Sequence, residues 1–202
     1  MLRSGLKSSR AAVVGVTIIA SLAGVLMVMS PQASASNFGS EGSVGAAGTT
    51  NGVFLTRDRA WSVAKIDLTA TYSNGVSAAV KNQYNPTDLT VTVYTPPGCG
   101  GSYGSYDLCV FDAEYGDNGL AAWNACAGTT SGRHPTMVCS TQYVRINRYY
   151  SPPANRIACH EMGHSIGLRH SSEASSCLKS AAEGGTSQTL TSHDKAHING
   201  TY

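Results

Sequence analysis

One apolar run, from Ala11 to Met29, stands apart from the rest of the 202-residue chain, broken only by Gly15, Thr17, Ser21 and Gly24. It follows Arg3, Lys7 and Arg10 and precedes Ala33-Ser34-Ala35. That order of basic leader, apolar stretch and small-x-small site is the order of an export signal, cut after Ala35. A single membrane anchor is the rival reading, because the run could just span a bilayer. The cleavage site placed directly behind it favours a signal peptide over 1–35. Residues 36–51 are mostly Gly, Ser, Ala and Thr, and a flexible N-terminal segment is expected there.

From residue 52 onward the pattern changes to that of a folded domain. Val53-Phe54-Leu55 begins a strand; Trp61 and Val63, then Ile66 and Leu68, line another whose alternation slips at Ala64-Lys65. Val76, Ala79, Val80 and Tyr84 recur at helical spacing, which predicts a short helix over 75–84, stopped by Asn85-Pro86-Thr87. Leu89, Val91 and Val93 alternate with Thr90, Thr92 and Tyr94 as in a half-buried strand ending at Pro96-Pro97-Gly98. Further strands are expected over 106–111 and 143–147, with a short edge strand at Leu120–Trp123. Pro152-Pro153 opens a helix that runs from Ala154 to Gly167, and Thr191 or Ser192 caps a last one through Asp194 and Ile198. The expected class is α+β in a single domain, with no internal repeat.

Composition sharpens this in two ways. Charged residues are only 13% of the chain and the net charge is +2, so neither a disordered charged tail nor nucleic-acid binding is indicated. The leader holds three of the basic residues and no acidic one, so residues 36–202 carry a formal charge of −1. All six cysteines lie after the leader. In an exported chain an even count reads as three disulfides, and six cysteines allow fifteen connectivities. Pairing sequence neighbours gives Cys99–Cys109, Cys126–Cys139 and Cys159–Cys177 as the working arrangement. A cysteine metal cluster is the rival, but no C-x-x-C spacing is present.

The residues that carry chemistry are His160-Glu161-Met162-Gly163-His164, followed by Gly167 and His170. Positions i and i+4 of a helix share a face, so His160 and His164 can hold one metal ion. Glu161 then sits beside a metal-bound water without being a ligand. Gly167 can take the left-handed conformation that ends a helix and returns His170 towards the first two rings. Three imidazoles leave a fourth coordination position open, as catalytic zinc requires. The alternative is a helix whose histidines are only surface residues.

H-E-x-x-H-x-x-G-x-x-H resembles the zinc signature of the metzincin metalloproteases, and the chain looks like a small secreted bacterial member of matrixin-like character. The run from Leu190 to Ile198 is similar to the final matrixin helix. The resemblance implies a metzincin-like single domain over 52–202, with a twisted, mostly parallel sheet, an active-site helix and a C-terminal helix. It further implies a secreted, extracellular, monomeric endopeptidase acting on proteins or peptides, without nucleic-acid or stable membrane association. One Zn2+ would be held by His160, His164 and His170, with Glu161 as general base towards a zinc-activated water. An extended substrate would lie antiparallel to the edge strand near Leu120–Trp123, and 179–188 would wall the specificity pocket. Leu178 stands where the family places a methionine beneath the zinc, and Asp194 is expected to brace that turn. A secreted binding module on the same scaffold, without turnover, is the competing reading, and the intact Glu161 argues against it.

Four other groups carry alternative readings. Asp112, Glu114, Asp117 and Asn118, with Gly116 and Gly119, raise Ca2+ against a plain solvated acidic loop. His193 and His197, also four apart, read as polar or packing positions, with a second metal site as the alternative. His134 is expected to be exposed, and Trp61 and Trp123 to belong to the core or a groove wall.

Overall fold

A computed structural model describes residues 37–42 and 50–202 of the chain; the export signal expected at 1–35 lies outside the described residues. The strands are β1 (Glu41–Gly42), β2 (Thr50–Val53), β3 (Ala60–Ile66), β4 (Thr90–Tyr94), β5 (Leu108–Ala113), β6 (Ala122–Cys126), β7 (Thr130–Ser131), β8 (Val138–Cys139) and β9 (Gln142–Asn147). The α-helices are α1 (Ala70–Ala79), α2 (Ala154–His164) and α3 (Ser192–Thr201). Seven strands form one sheet in the order β1-β2-β6-β9-β5-β3-β4, while β7 and β8 pair separately. Strands β4, β3, β5 and β9 are mutually parallel; β6, β2 and β1 continue the sheet antiparallel. This mixed architecture, with its central parallel strands and C-terminal helix, is consistent with the metzincin-like fold that the sequence predicts.

The helices and the sheet enclose one main core. Trp61 and Val63 of β3, Leu108 and Val110 of β5, and Val144 and Ile146 of β9 point to the helical side. They meet Val76, Ala79 and Tyr84 from the α1 region and Ile157, Cys159 and Met162 from α2. The register explains the slip read at Ala64-Lys65. Strand β3 is covered on both faces, with Ala64 and Ile66 packing beside Cys109 on the opposite side. Lys65 lies on the helical side but ends in hydrogen bonds to Ser73 and Ser77 of α1 (3.0 and 3.1 Å). Parallel strands flanked on both sides lose simple alternation.

Four elements differ from expectation. The helix expected over 75–84 begins at Ala70 and closes with a π-helical turn over Val80–Tyr84. Its start is set from afar: the carboxylate of Asp112 accepts from the Thr69 backbone N–H (3.0 Å) and hydroxyl (2.7 Å). Strand β4 is not half-buried, because it has a single neighbour, β3; Val93 and Tyr94 are 38% and 43% exposed. The edge strand expected at Leu120–Trp123 is shifted to Ala122–Cys126, and its last two residues pair with β2 on the far side from β9. Asn147 explains the shift: its amide donates to the Gly116 and Leu120 carbonyls (2.8 and 3.2 Å), keeping Leu120 in the loop.

The fourth difference concerns residues 37–42, which fall in the segment expected to be flexible. They are packed instead: Asn37 and Ser40 are buried, and β1 pairs with β2. Backbone bonds join Gly39 N–H to the Gly167 carbonyl (2.8 Å) and Arg169 N–H to the Asn37 carbonyl (2.6 Å). The Arg169 side chain closes the strap by donating to Gly39 and Ser40 carbonyls (2.8 and 3.1 Å). Small residues here serve close backbone approach, which composition alone reads as looseness.

Candidate metal centre

Pro153 stands at the N-cap of α2, and the helix ends at His164, short of the expected Gly167. Beyond it the chain tightens, with Leu168 N–H reaching the Gly163 carbonyl (3.0 Å). Gly167 takes φ +94°, a region that strains a residue with a Cβ, and an added Cβ would also press on Phe38 at 3.0 Å. This turn sends the chain back, and His170 rejoins the helix face.

The three sequence-predicted histidines converge. His160 Nε2 lies 3.1 Å from His164 Nε2 and 3.2 Å from His170 Nε2. One nitrogen from each lies within 4.8 Å of the others. Backbone oxygens set the ring tautomers, since a carbonyl can only accept. His160 Nδ1 donates to the Cys177 carbonyl and His164 Nδ1 to the Leu168 carbonyl, both at 2.7 Å. Each bond leaves the Nε2 lone pair facing the common centre. Burial, with the neighbouring His164, holds His160 well below its ordinary range, and burial brings His164 down to about 4. Both rings are therefore neutral at neutral pH, the state a metal ligand needs. The donor set is three imidazoles, two buried and His170 exposed, which is the composition of an open catalytic zinc site.

Glu161 follows His160 and is 5% exposed. Burial pushes its carboxyl up to about 8, opposed by the Arg156 guanidinium. A dication held by the adjacent rings would oppose that shift as well. Among the described residues no hydrogen bond ties up its carboxylate, so it is free to exchange a proton.

Support comes from below and behind. A disulfide joins Cys159 to Cys177, tethering the residue before His160 to the one whose carbonyl orients that ring. Cys99–Cys109 and Cys126–Cys139 are the other two disulfides. Leu178 is fully buried under α2, where a Cβ on Gly163 would meet it at 3.0 Å. Ser176 Oγ accepts from Leu178 N–H (3.0 Å) and donates to Asp194 (2.7 Å). Asp194, fully buried, also forms the capping box of α3 with Thr191 and accepts from Asn37 (2.9 Å). The bracing expected of Asp194 is thus made through Ser176.

Sequence reasoning missed several supports. Tyr84, buried in the π-helical turn, donates to the Cys159 carbonyl (2.5 Å). Gln142, also fully buried, donates to the Ser165 carbonyl (2.6 Å) and accepts from Asn124 (2.8 Å). Both bind carbonyls in or just beyond α2, near the three histidines, from remote elements, and only an unusual polar residue at the head of an apolar strand marks Gln142 in the sequence.

The acidic group weighed for Ca2+ is dispersed onto other partners. Asp112 holds Thr69 and Asp117 accepts from the Tyr150 hydroxyl. Asn118 accepts from Leu120 N–H (3.0 Å). Calcium is not supported. His134 is exposed, with Nδ1 against Ser40 Oγ (2.9 Å) and Nε2 against the Gly42 carbonyl (3.0 Å). Trp61 is core, whereas Trp123 lies on the outer sheet face against Tyr115, ring centroids 4.9 Å apart.

A helix bearing two histidines one turn apart, a third returned by a glycine turn, and a carboxylate between them define a metallopeptidase site. The family comparison agrees over most of the chain: residues 26–201 match the dual-action HEIGH metallo-peptidases, and the chain belongs to that family. Read as residue letters, HEIGH differs from His160-Glu161-Met162-Gly163-His164 only at Met162. Among curated proteins none matches the chain.

Proposed function

We propose that the chain is a secreted zinc endopeptidase of matrixin-like character, with His160, His164 and His170 holding the ion and Glu161 as general base. The convergence of three Nε2-presenting rings beside an uncommitted, buried carboxylate carries this reading. Zinc supplies a Lewis acid there, acidifying water and polarising a scissile carbonyl. Glu161 takes a proton as water adds to that carbonyl carbon, then delivers it to the amine as the C–N bond breaks. Its place beside the rings, buried and with no competing hydrogen bond among the described residues, leaves the same carboxyl available for both acts.

An extended substrate would lie antiparallel along β6, where Ala122 and Trp123 pair with β9 on one side and with no described residue on the other. The 179–188 segment would wall the pocket for the side chain beyond the cut. Export through the leader at 1–35 fits the three disulfides and the absence, among the described residues, of a helix able to cross a membrane. The deciding assay is casein or gelatin hydrolysis by the zinc-loaded protein, with chelator and Glu161→Gln controls. Turnover that stops in both controls supports the reading. Turnover that persists in pure Glu161→Gln, or is absent from the zinc-loaded wild type, overturns it.

A further inference from the structure

Helix α3 carries a second pair of histidines four apart, and its geometry repeats that of α2. His193 and His197 approach to 3.2 Å between Nε2 atoms, with ring centroids 4.5 Å apart at 76°. The corresponding figures for His160 and His164 are 3.1 Å, 4.6 Å and 81°. Two nitrogens on a tetrahedral zinc, each about 2.0–2.1 Å from it, lie about 3.3–3.4 Å apart. The α3 spacing suits a shared cation as well as the α2 spacing does.

We propose that His193 and His197 form a second, surface site for a borderline divalent cation of the zinc, nickel and copper class. The pair is preorganised at both ends. The Thr191–Asp194 capping box fixes the first turn of the helix, which bears His193. Phe38 stacks on His197 with centroids 5.3 Å apart and planes 13° from parallel, restraining that ring. Both histidines are only partly buried, so water completes the coordination shell.

This site differs from the catalytic one in what surrounds it. No third histidine, cysteine or carboxylate among the described residues joins the pair. It has no carboxylate to move protons, so it binds without catalysing. Imidazole donors favour copper over nickel and zinc. The single competing use of the 3.2 Å approach is a hydrogen bond, in which one ring's N–H occupies the other's lone pair; that arrangement binds no metal.

The test uses the untagged, zinc-loaded full-length protein freed of excess metal. Ni2+ and Cu2+ are titrated up to ~100 µM, with uptake followed by calorimetry and elemental analysis. One equivalent beyond the catalytic zinc is expected, tighter for Cu2+. His193→Gln and His197→Gln, made separately so that either suffices if the other misfolds, should each lose that equivalent while keeping the first zinc and casein hydrolysis. The proposal is overturned if the wild type takes up no added metal in that range. It is equally overturned if folded variants still take up the extra equivalent. Because the readout is metal uptake at α3, it stands whether or not the peptidase reading does.

Discussion

Helices α2 and α3 each present two histidines one turn apart at nearly the same spacing, yet only α2 builds a centre for chemistry. The difference lies outside the pair. On α2 both Nδ1 atoms are tied to backbone carbonyls, a glycine turn returns His170, and Glu161 stands uncommitted beside the three histidines. On α3 the buried carboxylate next in sequence to His193, Asp194, points inward and is consumed by Thr191, Ser176 and Asn37. The i, i+4 pair is therefore a local invention of the helix, whereas function comes from what the tertiary structure brings to it. Position along the helix face decides whether a carboxylate is a reagent or a brace.

The contrast can be broken at its strongest point first. His164→Ala removes a proposed ligand whose tautomer the fold sets, and bound zinc and peptide hydrolysis should both vanish; zinc retained at wild-type stoichiometry would contradict the proposed ligand set. Glu161→Gln should keep zinc and lower kcat by about 10²–10⁴-fold, read by metal analysis alongside steady-state kinetics. Asp194→Ala should act on stability, since it strands the Thr191, Ser176 and Asn37 donors in the interior. A loss of about 3 kcal/mol is expected from urea unfolding of the zinc-loaded protein, and a loss under about 1 kcal/mol would remove the brace from the argument. The mildest change is Gly167→Ala, which forces a Cβ into a left-handed turn and should cost about 1–2 kcal/mol. Its measurable signature is weaker zinc retention against a chelator with His160 and His164 untouched.

Much of the catalytic helix was legible because its information is local. Pro152-Pro153 marks the start, the histidine spacing marks the face, and Gly167 marks the return. Strands β5 and β9 were legible for the same reason, β5 through its apolar content and β9 through alternation. The first turns of helix α1 were not, because Thr71, Ser73 and Asn74 are poor helix formers and the helix start is held by Asp112, forty-three positions from Thr69. The strap at 37–42 failed for the opposite reason: a Gly/Ser-rich composition looks mobile, but here it allows backbone to lie against the Gly167 turn. Thr191 was readable as a helix cap, whereas the tie of Asp194 to the Leu178 turn was anticipated only through family resemblance.

The bond between Cys159 and Cys177 encloses His160, Glu161, His164 and His170 in one covalent ring. Ser172, Ala174 and Ser175 lie exposed on the far side of that ring. A nick there by another copy of the enzyme would leave both fragments attached, so the damaged molecule would run intact on a non-reducing gel and fall into two pieces only after thiol treatment.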